Sequence, residues 1–309
     1  MKKTSIGGSA LIEGLMMIGP KNAAIAVRKP DGEIILEKRP LPVKGIYAKI
    51  PIIRGAYNFF QQIVLVMKAM MFSAEFVDIE GEEEAKPSKV DAFIERVFGD
   101  KIKDAVIYFA VILSLAFSIG LFILLPNFLA ELVGFSKSTF KGNVYYNLFE
   151  GGIRIVLFSG YIMLTTAMKD VKRVWQYHGA EHKTIHCYEH EEELTVENVK
   201  KYTTLHPRCG TSFMFLVMII SILVFSVLPR IDLILNILMR LALVPVVAGL
   251  SYEVIKLAGR SESKIMNIVN APGMFFQLFT AKEPDEGMIE VAIEAFKNVL
   301  VEDKNADKW

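Results

Sequence analysis

The chain has 309 residues, of which 52% are apolar and 22% are charged, and its mean hydropathy of +0.37 is high for a water-soluble protein. A formal net charge of +1 offers no basic surface for nucleic acid, so we expect no nucleic-acid partner. The two cysteines make no disulfide framework and are typical of a reducing compartment. No continuous apolar run follows Met1, and we expect the N-terminus to stay in the cytoplasm.

Residues 1–50 are predicted to form a small β-rich cytoplasmic element. Two apolar runs, 23–27 and 33–36, flank the sequence Lys29–Pro30–Asp31–Gly32. In such a turn, proline presets its φ angle and glycine accepts the positive φ that follows. The pattern predicts a β-hairpin.

Residues 51–103 are predicted to contain an interfacial helix, a charged linker and an amphipathic helix. The apolar core of the first segment, residues 63–67, is too short to cross a bilayer, which requires about 20 apolar residues. We therefore expect this helix to lie on the membrane surface, with a true span as the alternative. After the linker at 80–89, Ser88 is expected to cap the amphipathic helix.

Residues 104–259 are predicted to contain about four transmembrane helices. The apolar segments are 105–130, 144–168, 211–228 and 231–258. The connection 169–210 carries the largest group of basic residues: Lys169, Lys172, Arg173, Lys183, Lys200, Lys201 and Arg208. The positive-inside rule therefore places this connection and both termini in the cytoplasm. The expected fold is an α-helical integral membrane protein of the bacterial cytoplasmic (inner) membrane, with the lipid bilayer as its surroundings.

Residues 260–309 are predicted to be cytoplasmic and to end in an amphipathic helix. Ala271–Pro272–Gly273 is expected to break any helix. Near 285–302, apolar residues recur at the spacing of a helix with one buried face.

All five histidines and both cysteines of the chain lie between positions 178 and 209: His178, His182, His186, His190, His206, Cys187 and Cys209. We expect 169–177 to continue the second span into the cytoplasm as a helix. Histidines four residues apart then share a helix face and can reach one ion. His206 and Cys209, three residues apart at a proline turn, resemble half of a zinc site.

We expect His178, His182, His206 and Cys209 to bind a divalent metal of the zinc type, with Glu253 near the cytoplasmic end of the last span as a further ligand. His186, Glu189, Tyr252 and Arg208 are expected to support these ligands. The alternative is that these histidines are ordinary surface residues and that His206–Pro207 is only a turn.

His178-x-x-Glu181-His182 also resembles the signature of the inverzincin metallopeptidases. In that family the two histidines bind zinc, the glutamate polarises the attacking water, and a later carboxylate is the third ligand. The resemblance covers five residues. It makes Glu181 the candidate general base of a metal-dependent hydrolase.

Two other functions stay open. In the first, the metal is structural and the chain is a membrane scaffold or assembly factor that binds membrane-protein partners or a second copy of itself. In the second, the chain is a small transporter, because its predicted spans carry Glu150, Arg154, Arg240 and Glu253. Four spans without an inverted repeat leave little room for a transport pathway.

Longer sequence blocks resemble the YqhQ-like family of bacterial membrane proteins, a family of unknown function. These blocks are Gly8–Met17, Arg54–Gly55, Tyr177–Lys183, Tyr188–Glu189, His206–Ser212, Tyr252–Glu253 and Pro272–Gly273. The resemblance covers nearly the whole chain. It implies a multi-span bacterial inner-membrane protein and supplies no substrate; members of this family are sometimes described as metal-dependent enzymes.

Overall fold

A computed structural model describes residues 3–42, 45–76, 109, 112–135, 139–228, 233–260, 264–302 and 306–307. The chain forms two compact units, one of residues 1–77 and 159–309 and the other of residues 78–158. The predicted charged linker and the helix capped by Ser88 lie outside the described residues.

The N-terminal region forms a four-stranded antiparallel sheet in the order β1-β2-β3-β4. Its strands are β1 (Gly7–Leu11), β2 (Gly14–Ile18), β3 (Asn22–Arg28) and β4 (Ile34–Pro40). The predicted hairpin is confirmed as β3 and β4, with Arg28 opposite Ile34. At its turn, Gly32 has a φ of 88° and donates its N–H to the carbonyl of Lys29 at 2.9 Å. The sheet is larger than predicted because β1 and β2 form a second hairpin before it.

The rest of the described chain is mostly helical, as predicted. A 3-10 turn covers Ile46–Lys49. The helices are α1 (Ile53–Ala74), α2 (Ile112–Leu132), α3 (Phe140–Thr165), α4 (Lys169–Glu189), α5 (Val196–Lys200), α6 (Gly210–Ser226), α7 (Leu233–Arg260), α8 (Lys264–Thr280) and α9 (Glu286–Lys297).

Within the described ranges, three helices are long and apolar enough to cross a membrane: Ile112–Leu132, Phe140–Thr165 and Ile234–Ala258. These three helices correspond to three of the four predicted spans. The fourth predicted span coincides with α6, which is apolar and has 17 residues within the described part of the chain.

The predicted interfacial helix forms as α1, and it packs against other elements along its length. Near its N-terminus, a Cβ atom on Gly55 would lie 2.6 Å from the Cβ of Tyr252 in α7. Farther along, Ala69 is buried in an apolar cluster with Leu11 and Met16 of the sheet. Helix α1 is therefore held by both α7 and the sheet.

Two predicted helix boundaries are wrong. Helix α3 does not continue into α4, because its last turn tightens and Met168 adopts an extended conformation as the N-cap of α4. Pro272 does not break α8, which runs through it. The neighbouring Gly273 packs so closely on α6 that a Cβ there would lie 2.5 Å from the Cβ of Ser212. Tertiary packing thus maintains a helix that local propensity disfavours.

The predicted C-terminal helix is confirmed as α9. Asp285 is its N-cap, and the side chain of Asp285 accepts the N–H of Met288 at 2.8 Å. Its apolar face is part of the core with the sheet and α4, in a cluster that includes Leu15, Tyr177 and Phe296. This core holds α4, the helix that carries three of the five histidines.

Candidate metal centre

Helix α4 is polar by composition, yet every residue from Tyr177 to Cys187 is buried. Its backbone passes very close to the segment after α8, since a Cβ on Gly179 would lie 1.9 Å from the carbonyl oxygen of Lys282. The N–H of Lys282 also donates to the carbonyl of Trp175 at 2.9 Å. The absence of a side chain at Gly179 therefore allows α4 to be enclosed on this side.

The structure brings His178, His182 and Cys209 together. One nitrogen of each imidazole and the thiol sulfur lie within 4.8 Å of one another, and all three side chains are buried. His178 Nε2 lies 3.0 Å from Cys209 Sγ. Cys209 is also the N-cap of α6, where its sulfur accepts the N–H of Thr211 at 3.3 Å.

Backbone carbonyls orient both imidazoles. His178 Nδ1 donates to the carbonyl oxygen of Thr280 at 2.6 Å, and His182 Nδ1 donates to that of Thr204. A carbonyl can only accept, so these bonds place a proton on Nδ1. His182 Nε2 is buried and has no hydrogen-bond partner among the described residues. An imidazole fixed through Nδ1 with Nε2 unoccupied is the usual arrangement of a histidine that binds a metal.

The charges of His178 and Cys209 are coupled. Although burial raises the pKa of Cys209, the neighbouring His178 and His182 lower it well below its ordinary value. Burial lowers the pKa of His178, but the Cys209 sulfur, Glu181 and the Thr280 carbonyl together raise it, to about 9. Without a metal, this coupling favours a thiolate on Cys209 beside a protonated His178. Cys187 differs, because burial raises its pKa to about 11.

Glu181 lies beside this group, buried and accepting the N–H of Gly8 at 2.8 Å. Burial raises its pKa, an effect that His178 and His182 oppose. Together with His182 and Cys209 it lines a cavity of about 80 Å³, large enough for several water molecules. Residues 4–8 also line this cavity.

His186, Glu189 and His206 form a second buried group whose ligand-type atoms lie within 4.8 Å of one another. Glu189 is fully buried and accepts hydrogen bonds from the N–H of Thr4 at 2.8 Å and from Arg208. Burial lowers the pKa of His206 to about 4 and also lowers that of His186. Both imidazoles are therefore neutral at neutral pH.

The predicted ligand set is thus divided. His206 belongs with His186 and Glu189, and its ring centroid lies 5.5 Å from that of His182. His186, predicted to support the ligands, is as buried as they are, whereas His190 is exposed. Arg208 lines the cavity and binds Glu189, consistent with a supporting position.

Glu253 and Tyr252 are not brought to either group. The carboxylate of Glu253 pairs with Arg54 of α1, whose Nε donates to it at 2.7 Å. Tyr252 packs on Gly55 instead. Both residues belong to the contact between α1 and α7.

Gln277 of α8 is a site residue that the sequence did not suggest. It is fully buried, accepts the N–H of His206 at 2.7 Å and donates to the carbonyl of His206 at 2.8 Å. It also donates to Ser212 Oγ at 2.9 Å. The sequence marks Gln277 only as a single amide side chain within the apolar, aromatic-rich run 274–279.

Comparison with known proteins agrees with the family resemblance. Residues 50–302 match the family described as "Protein of unknown function (DUF1385)". The chain is 36% identical over 306 residues to "Uncharacterized protein YqhQ" of Bacillus subtilis (strain 168), covering 95% of this chain and 92% of that protein. No solved structure matches. The chain therefore belongs to the DUF1385 family of YqhQ-like proteins.

Proposed function

We propose that this protein is a metal-dependent hydrolase of the bacterial cytoplasmic membrane, with a divalent metal of the zinc type bound by His178, His182 and Cys209. The observation that carries the proposal is the nitrogen His182 Nε2, which is buried without a partner beside the other two donors. Leaving such an atom unpaired costs about 1–3 kcal/mol, and a metal ligand bond would remove that cost.

The donor chemistry fits zinc. Two imidazoles and a thiolate are ligands that zinc prefers, and catalytic zinc sites have three protein ligands with one open position. The neighbouring imidazoles favour the thiolate form of Cys209, and a bound ion would displace the proton that this pairing favours on His178. We expected five ligands from the sequence; the proposal keeps three of them and leaves out His206 and Glu253.

Glu181 is the proposed general base. Its carboxylate lines the same cavity as His182 and Cys209, and the N–H of Gly8 holds one oxygen. A bound zinc ion would lower the pKa of a water molecule in its open position to near 7. Glu181 would accept the proton of that water and pass it to the leaving group. Burial raises the pKa of Glu181, which makes its carboxylate a stronger base than an exposed one.

We further propose that the site lies at the cytoplasmic surface of the lipid bilayer. Helix α6, which is wholly apolar apart from small hydroxyl side chains, begins one residue after Cys209. The basic residues of 169–210 favour the cytoplasmic side.

A structural metal in a membrane scaffold is the second candidate. Its support is the position of His206, which lines the same cavity as His182 and Cys209. In that case His206 or another protein group would complete the coordination of the ion, with no open position.

Cobalt substitution separates the two candidates. In the detergent-purified protein, cobalt bound to Cys209 should give a thiolate-to-cobalt absorption band. We expect the band in wild type and in Glu181→Gln, and its loss in Cys209→Ser and His182→Ala. Cys187→Ser is the matched control and should keep it.

Added azide then reports on the open position. A changed cobalt spectrum supports the hydrolase, whereas a spectrum indifferent to azide supports the structural metal. Absence of the thiolate band in the wild type would contradict both.

A further inference from the structure

We propose that the chain binds a second divalent cation at His186, Glu189 and His206. One nitrogen of each imidazole and one carboxylate oxygen lie within 4.8 Å of one another. The three side chains are only 9%, 0% and 4% exposed. None of them belongs to the first group, so the second site does not require the first to be catalytic.

Glu189 provides the strongest indication. Its Oε1 accepts hydrogen bonds from the N–H of Thr4 and from Arg208, while Oε2 is buried and has no hydrogen-bond partner in the part of the chain that the structure describes. A buried carboxylate oxygen without a partner is costly, and an ion would satisfy it. Carboxylates that bind metals are commonly hydrogen-bonded through their other oxygen, as Oε1 is here.

The distance between Glu189 and His206 suits a shared ion. Glu189 Oε2 lies 3.7 Å from His206 Nε2. Two ligand atoms bound tetrahedrally at zinc distances are about 3.4 Å apart. A small movement would therefore place both on one cation. Arg208 binds Oε1, the oxygen that the ion would not use, and its Nη2 also lies 3.4 Å from His206 Nε2, a contact that the ion would replace.

The remaining ligand, His186, is also oriented by a backbone carbonyl, here through Nε2 instead of Nδ1. His186 Nε2 lies 2.8 Å from the carbonyl oxygen of Leu205, and when it donates that proton the lone pair is on Nδ1. The backbone of His206 is held on both sides by Gln277, which restricts where its ring can lie.

The donor set also indicates which ions would bind. Two imidazoles and a carboxylate, without a thiolate, suit zinc, manganese or cobalt. Because His182 and His206 line the same cavity, both cations would face one space. That arrangement resembles two-metal sites, in which both ions contact one substrate.

Cobalt titration of the chelator-stripped full-length protein tests the second site. Wild type should bind two equivalents, of which one gives the thiolate-to-cobalt band. His186→Asn and Glu189→Gln should each bind one equivalent with that band intact. The matched controls His190→Asn and Glu193→Gln, both at exposed positions, should keep two.

The outcomes separate the two proposals. A wild type that binds one equivalent with the thiolate band, or variants that keep two, would overturn the second site and leave the first. Cobalt binding without a thiolate band, sensitive to His186→Asn, would support the second site and overturn the first. If Glu189→Gln does not fold, His186→Asn and the wild-type stoichiometry still decide.

Discussion

The two cysteines of this chain are both buried, yet their acidities are shifted in opposite directions. Cys209 lies against His178, whose positive charge stabilises its thiolate. Cys187 faces only backbone carbonyls, such as that of Glu193 at 3.5 Å, and its pKa rises to about 11. Burial acts on both sulfurs, and the neighbouring imidazole decides the sign.

The metal-free protein should therefore contain one thiolate at neutral pH. An ordinary cysteine is protonated at pH 6. Because the pKa of Cys209 is lowered well below its ordinary value, its thiolate should persist as the pH falls from 8 to 6. Ultraviolet absorption of the thiolate measures this. Cys209→Ser should remove the signal at pH 7, His178→Gln should shift it to higher pH, and Cys187→Ser should leave it unchanged. A signal that depends on Cys187 would contradict the assignment.

Histidine spacing predicted part of the site and misplaced the rest. His178 and His182 are four residues apart on a helix, and that spacing alone places them together. It cannot show how the segment between α4 and α6 returns, and that path puts His206 beside His186. Glu253 was placed by its expected depth in the membrane, but Arg54 of α1 is its partner. The periodicity of a sequence does not predict contacts between segments that are distant along the chain.

At the scale of elements, close backbone contacts position the helices around the site. Gly179 on α4 lies against the carbonyl of Lys282. Gly55 on α1 lies against Gly249 of α7, so that a Cβ added at Gly55 would be 2.9 Å from the Cα of Gly249. Neither contact was predicted, because a lone glycine in a helical sequence indicates lower helix propensity before it indicates close packing.

Gly179→Ala should destabilise the protein by about 1–3 kcal/mol, the usual cost of overpacking. The added Cβ would lie 1.9 Å from the Lys282 carbonyl oxygen, so α4 or that segment must move. Thermal unfolding in detergent measures the change. Gly160→Ala in α3 is the control, since nothing lies within 4 Å of its added Cβ. Equal unfolding temperatures for the two variants would contradict the close contact.

The ion pair between α1 and α7 can be tested by exchanging its charges. Arg54→Glu and Glu253→Arg should each lower the unfolding temperature, because each places like charges together. The double variant should recover most of the loss. If the unfolding temperature of the double variant is no higher than that of the less stable single variant, the two side chains are not paired.

At the scale of the whole molecule, composition predicted a mostly helical membrane-type chain, and the structure has three helices suited to crossing a membrane among its described residues. The sheet was underestimated, because residues 7–18 are apolar without the alternation that marks a half-buried strand. Both of its hairpins contribute to one core with α4 and α9. The N-terminal residues thus line a site built mainly on α4 and the segment just before α6.

The proposed orientation places the site in the cytoplasm. A cysteine at exposed Glu192 should react with a membrane-impermeant maleimide only in inverted vesicles, and one at Thr139 only in intact cells. The wild type is the blank, because both native cysteines are buried. Labelling of Glu192→Cys from outside intact cells would contradict this orientation.

The most direct test of the metal centre is the zinc content of the purified protein. Wild type should contain at least one zinc per chain after dialysis. His182→Ala should lose the zinc bound with Cys209, because His182 contributes the buried nitrogen without a partner. The exposed His190→Ala should retain the wild-type content. A wild-type protein that contains no zinc or other divalent metal, and takes up none when it is added, would contradict the metal centre.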